Sequence, residues 1–397
     1  MAVVDRVGVW LALLLPVLLL HGRGLAEGVI GVLGVLFLAQ SAVRRDWGWL
    51  RLAWMRIGLV WWGWVVVCSV PHGGAAVEQA AASGRFLLLV AALAHWVLRD
   101  ARVRSWFAWV LRWSAIYIAV QSLVQFAVGK NLFGYPRSGD GELTGPYEHP
   151  RAGAPLSRLL FPAVLPVWRQ ALLPVGVVVM VLIGQRMPLL LTGLGLVVTA
   201  LLMPQLRRLV LVAAVVLVAL VAATPVVSPP TFHRLVEKFL LQMGHFATSD
   251  YGLIAGRAVV IAQANPLLGA GFDGFRRDCE DKRYFHGWGG GDGGGAAMCN
   301  QHPHNFYLQA LVEGGVPGLL LFSLLAGAWL VPLGRGLWTA PDPLRVGLFV
   351  AALLHLWPIA SSTAWTSMPL GGWFFVLLGL GLAETQHYIN CPGSSKV

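Results

Sequence analysis

The chain has 397 residues, of which 57% are hydrophobic and 12% charged, against the ~25% charge usual for a soluble domain. Its formal net charge is +11, yet the arginines gather at the ends of apolar runs and form no single basic face, which excludes a nucleic-acid binder. Apolar runs of roughly 20 residues recur along the whole length, and eighteen tryptophans suit the membrane–water interface, so the fold class is an all-α polytopic integral membrane protein.

In chain order the expected spans are 7–20, 25–42, 52–70, 82–98, 105–128, 154–167, 171–183, 188–203, 210–227, 315–331, 346–359 and 368–382, about twelve transmembrane helices. The first resembles a signal-peptide core, but no small-residue cleavage site follows it, and it reads as a span. The stretch 154–167 is the weakest, since Pro162 and Pro166 interrupt it. Residues 1–227 thus carry spans one to nine with an external loop near 129–153. Residues 228–303 form a large external loop domain between spans nine and ten, and residues 304–397 hold spans ten to twelve and a cytoplasmic tail.

The positive-inside rule orients this arrangement. With the N-terminus inside, Arg6, Arg44, Arg45, Arg51, Arg56, Arg99, Arg102, Arg104, Arg169, Arg207, Arg208, Arg335, Arg345 and Lys396 fall on the cytoplasmic side. The short external loops and their adjoining span ends contain only Arg23, Arg85, Lys130, Arg137, Arg151, Arg158 and Arg186. Both termini are therefore expected in the cytoplasm and 228–303 outside, in the periplasm if the membrane is a Gram-negative inner membrane. In that domain Ser249-Asp250 reads as a helix cap, 251–264 as the helix and Asn265-Pro266 as its stop. Residues 287–295 are a glycine-rich loop.

Polar chemistry concentrates where this domain returns to the membrane, at Gln301-His302-Pro303-His304-Asn305. His304 precedes an expected helix over 305–313, whose N-terminal dipole disfavours imidazolium and suits a general base. His302 is the alternative base. Arg257 stands in the apolar stripe of Leu253, Val260, Ile261 and Ala264, which calls for an anion. The alternatives are a buried pair with Asp250, Glu280 or Asp281, or a side chain that snorkels to water. Arg186 sits in an external hairpin turn, Gly184-Gln185-Arg186-Met187-Pro188, suited to a phosphate or diphosphate. Further substrate-binding candidates are His302, Asn305, Tyr147, His149 and Arg151.

Cys279, Cys299, His286, His302 and His304 are zinc-ligand types without a zinc-ligand spacing. A Cys279–Cys299 disulfide outside the cytoplasm is the better expectation, with no metal. Cys68, in a span, and Cys391, in the tail, stay free. Gly269-Ala270-Gly271-Phe272-Asp273-Gly274 matches a dinucleotide-binding pattern only literally, because no strand–helix–strand unit surrounds it. Tyr284, Phe285 and Trp288 suit either sugar stacking or anchoring at the membrane surface.

From about Leu182 to Phe322 the chain resembles the O-antigen ligase family, which includes polysaccharide polymerases and protein-glycan ligases. The resemblance is carried by Gly184-Gln185-Arg186, by Ser249-Asp250 through Arg257 to Asn265-Pro266-Leu267-Leu268-Gly269-Ala270-Gly271, and by His302-Pro303-His304-Asn305 with Leu308 and Glu313-Gly314-Gly315-Val316-Pro317-Gly318. The Thr144-Gly145-Pro146-Tyr147-Glu148-His149-Pro150 loop is also similar. At Gln185 and Met187 the family more often has serine and glycine. The resemblance implies a glycosyltransferase without metal or other cofactor. It would move a glycan from undecaprenyl diphosphate to a lipid A–core oligosaccharide hydroxyl, in contact with membrane lipids of a bacterial inner membrane. His304 would be the base, and Arg186 and Arg257 would hold the diphosphate. Two rival readings stand beside it. One is a polymerase using the same donor. The other is a transporter, against which the isolation of His95 and His355 in the spans speaks.

Overall fold

The computed structural model describes residues 3–166, 169–288, 291–360 and 363–390. Lys396, Cys391, Val167, Gly289 and Gly290 lie outside them, as does the side chain of Arg169. The principal helices are α1 (Val3–His21), α2 (Arg23–Arg44), α3 (Ala53–Ser69), α4 (Gly74–Ser83), α5 (Arg85–His95), α6 (Ala101–Val128), α7 (Gly153–Val164), α8 (Arg169–Ile183), α9 (Arg186–Leu202), α10 (Arg207–Val227), α11 (Asp250–Ala264), α12 (Phe306–Gly334), α13 (Pro343–His355) and α14 (Leu370–Asn390). No named strand occurs among the described residues.

Among the described residues, seven helical stretches are long and apolar enough to cross a membrane. They are α1, α2, Ala53–His72, Gly74–Arg99, α6, Pro204–Val227 and α12. Leu172–Ile183, α9 and α13 are shorter apolar helices. The protein is a polytopic helical membrane protein. The expected span 82–98 differs in detail, because the helix starts at Gly74 and turns at Gly84. There Trp62 lies where a Cβ would stand, at 2.9 Å, and donates its indole N–H to Ala80 O at 3.0 Å. The expected span 154–167 is the 12-residue α7. At about 1.5 Å per residue it reaches only ~18 Å, short of a crossing. Eleven of its residues are buried, in contact with α6 and α13. Hydropathy alone reads such a protein-enclosed helix as a span.

The most informative irregularity is in α12. Gly315 has φ 65° and ψ −162°, which splits the helix into a short N-terminal piece and a long apolar piece. Pro317 follows, and it has no N–H to offer Glu313 O. The carbonyls released by this break are all met. Val312 O accepts from Ala270 N at 2.6 Å, Glu313 O from Gly271 N at 3.0 Å, and Gly314 O from the Trp64 indole at 2.8 Å. In return Val316 N donates to Pro266 O at 2.8 Å. The 266–271 turn approaches so closely that a Cβ on Gly269 would stand 2.6 Å from Val312 O, and one on Gly315 would stand 2.5 Å from Pro266 O. These glycines serve backbone docking. A buried Glu313 carboxylate completes the joint, accepting from Gln309 Nε2 at 2.8 Å and Asp273 N at 3.2 Å.

Candidate functional site

The segment between α10 and α12 is built around α11. Ser249 caps it by accepting the Gly252 N–H at 3.2 Å, and Asn265 ends it. Arg257, 1% exposed, projects from the middle into a nest of main-chain oxygens. It donates to Cys279 O, Gly295 O at 3.2 Å and Gly293 O at 3.4 Å, and stacks over Phe285 at 4.5 Å. Among the described residues no carboxylate lies within ion-pair distance of Arg257, so Asp250, Glu280 and Asp281 are not its partners. Cys279 and Cys299 are joined in a disulfide that closes the same loop. Arg257 and the disulfide together define the path from residue 279 to residue 299, and Asn300 follows directly.

Asn300 reaches His304. Its Oδ1 accepts the Gln301 N–H at 2.8 Å, which turns Nδ2 toward His304 Nε2, 2.9 Å away. The amide then donates to Nε2 and favours the tautomer protonated on Nδ1. His304 has φ 55°, a left-handed backbone that costs a non-glycine residue about 1–3 kcal/mol and often marks a functional position. Its ring lies 6.0 Å from that of Tyr251 and 4.5 Å from that of His302. Burial, with His304 alongside, pushes the His302 imidazole down to about 4, and its Nε2 is buried without a hydrogen-bond partner.

Asn305 is the N-cap of α12. Its Oδ1 accepts from Tyr307 N at 2.9 Å and Leu308 N at 3.0 Å, and its Nδ2 donates to Pro358 O at 2.7 Å. The expected helix over 305–313 therefore begins one residue later, at Phe306. Every strong bonding direction of Asn305 is engaged within the protein.

Tyr251 connects this corner to Arg186. The Arg186 guanidinium lies within electrostatic reach of Tyr251, Asp250, Glu142 and Arg234 and donates to Gln242 Oε1. Arg234 bonds to Asp140 Oδ2 at 2.5 Å and Glu142 Oε1 at 2.8 Å. Glu142 is pushed up to about 7, burial outweighing its cationic neighbours. Arg234, Glu142, Tyr251 and Asn300 were not singled out in the sequence. The available signal was charge complementarity, an acidic pair at 140 and 142 in one polar segment and a basic residue at 234 in another.

Gln185 ties the 144–151 loop beside Arg186. It accepts the Gly153 N–H at 3.0 Å and donates to Pro150 O at 2.5 Å. Gln125 fixes the start of that loop through Thr144 N at 2.7 Å and Gly145 N at 3.2 Å. The Tyr147 phenol oxygen is buried without a partner, and burial raises its pKa. His149 and Arg151 are exposed on the same loop. The structure thus brings His304, His302, Tyr251 and Arg186 to one region, whereas Arg257 and Asn305 are engaged by backbone groups of the protein itself.

Residues 171–323 match a family model described as O-Antigen ligase. Over that segment the chain is similar to the O-antigen ligase family. The match spans Arg186, Arg257, His302, His304 and the break at Gly315. The similarity points to a membrane enzyme of ligase or polymerase type. No curated protein matches the sequence.

Proposed function

We propose that the protein is a ligase that transfers a glycan from undecaprenyl diphosphate to a hydroxyl of lipid A–core oligosaccharide. The reaction takes place on the periplasmic face of a bacterial inner membrane. The seven long spans, the shorter apolar helices α8, α9 and α13, and α14 form the membrane bundle around α7, with both termini in the cytoplasm. Arginine distribution supports this orientation.

One observation carries the chemistry. His304 is held in a left-handed backbone by its surroundings, with Asn300 donating to Nε2, in a region that also contains Arg186. The acceptor hydroxyl displaces the Asn300 amide at Nε2. Its oxygen attacks the anomeric carbon as Nε2 takes the proton, and the carbon–oxygen bond to the diphosphate breaks. Arg186 meets the charge that grows on the departing diphosphate. Attack opposite a bound leaving group inverts the configuration. His302 is the poorer base because its Nε2 is buried, and Arg257 acts as a positioning residue for the loop that ends at Asn300. His149, Arg151 and Tyr147 belong to the loop that flanks the donor.

The test is transfer by purified protein from undecaprenyl-diphosphate-linked glycan to lipid A–core in detergent. Wild type is compared with His304→Ala and Arg186→Ala, each confirmed to be folded. Transfer lost in both variants is the expected result. Extension of the lipid-linked glycan itself would make the protein a polymerase. A product that retains the donor configuration would count against single displacement.

A further inference from the structure

Beside Arg186 lies a surface that this reaction leaves unused. The membrane stretch ending in α10 has few residues packed on protein, with 17% of its apolar window buried. It runs on through Pro229–Phe232 and a five-residue π-helical turn, His233–Glu237, into a helix, Lys238–Gly244. The first half of this segment is anchored, because Thr231 and Leu235 are buried and Arg234 is paired with Asp140 and Glu142. The second half is not. No residue of Lys238–Gly244 is buried, and Leu240, Leu241, Met243 and the following Phe246 are 63%, 66%, 57% and 45% exposed.

Helical spacing puts Leu240, Leu241 and Met243 on one broad face, with Lys238 and Gln242, four apart, on the other. The apolar face continues the exposed surface at the end of α10, where Val226 is 88% exposed. A lipid interface is the occupant that fits an apolar face joined to a membrane helix. The polar face turns to the protein. Lys238 is within electrostatic reach of Glu142, and among the described residues one side-chain hydrogen bond joins this helix to the bundle, from Arg186 Nη1 to Gln242 Oε1. A π-helical turn, rare and frequently found at functional sites, separates the anchored and unanchored halves.

We infer that Lys238–Gly244 is a lipid-seated gate over Arg186, held shut by Gln242 and opened when a lipid-borne phosphate replaces the Gln242 amide oxygen on the guanidinium. The inference rests on the donor reading above. A neutral amide oxygen satisfies the guanidinium in the absence of ligand, and an anionic, bidentate phosphate out-competes it.

Two measurements on the full chain in nanodiscs test it. In the first, Leu241→Cys in a Cys391→Ser background carries a fluorescent label, since Cys68 is buried and Cys279 and Cys299 are paired. Quenching by nitroxide-labelled lipid but not by aqueous iodide is expected, and the reverse pattern overturns the lipid seat. In the second, undecaprenyl diphosphate and inorganic diphosphate are titrated. Gln242→Ala should bind the lipid form about tenfold more tightly than wild type, because the competing contact is gone. Equal affinity in Gln242→Ala, with binding still lost in Arg186→Ala, overturns the gate and leaves the donor reading standing. Binding indifferent to Arg186→Ala overturns both. Tightening seen with inorganic diphosphate alone removes the lipid-borne part of the inference.

Discussion

Asn300 Nδ2 donates to His304 Nε2 across 2.9 Å, and the Gln301 N–H on Asn300 Oδ1 at 2.8 Å keeps the amide from presenting its oxygen instead. The contact leaves the imidazole's Nε2 lone pair as the acceptor. Asn300→Asp reverses the polarity of this contact, since a carboxylate favours Nε2–H and the imidazolium. The acidic limb of the kcat/KM profile should move upward by about one pH unit. An unmoved limb in the folded variant would show that His304 is not the titrating base.

His302 gives a second pH dependence, in stability. Its folded pKa of about 4 lies below its ordinary 6.5, so between these values the unfolded chain binds the extra proton. Acidification from pH 7 toward pH 4 therefore removes stability, by up to about 3 kcal/mol. Thermal unfolding of wild type and His302→Gln across this range should show a wild-type slope that the variant lacks.

Arg257→Lys retains the charge but not the fork that reaches several carbonyls at once. Leaving buried carbonyls unmet should cost about 2–3 kcal/mol. If Arg257 acts through the loop, kcat falls while the donor Kd measured on folded variant stays within about twofold of wild type. A large rise in donor Kd would assign it a direct phosphate contact.

Removing the disulfide tests the same loop by another route. Cys279 and Cys299 are 20 residues apart in sequence, and the chain-entropy model gives about 3 kcal/mol for a loop of this length. The Cys279→Ala/Cys299→Ala double variant should unfold at lower temperature and lose order at Asn300, read as faster amide exchange over residues 292–304.

Gly315→Ala puts a Cβ 2.5 Å from Pro266 O on a backbone with φ 65°. The expected loss is about 3 kcal/mol or more, measured as a fall in Tm in detergent. Gly327→Ala, where the position is open, is the control that should change little.

Local signals in the sequence were legible where the chemistry is local. Ser249 caps α11, Asn265-Pro266 ends it, and the glycine pair at 314 and 315 separates two helices, as caps, stops and special backbone positions act over a few residues. The partners of Arg257 were hidden because they are main-chain carbonyls, which leave no trace in side-chain identity. Arg234 and Glu142 meet across more than ninety residues, a distance over which pattern carries no pairing information. Twelve spans were counted by hydropathy, which does not separate α7, enclosed by protein, from a helix enclosed by lipid.

The bond between Cys279 and Cys299 suits the proposed placement of this segment on the oxidising side of the membrane. Thiols persist on the reducing side and pair on the oxidising side, and the nest around Arg257 is bounded by the same two residues. A copy inserted upside down would keep two thiols and a slack loop, with Asn300 unaligned to His304. On the proposed orientation, one oxidation closes the loop that ends at Asn300.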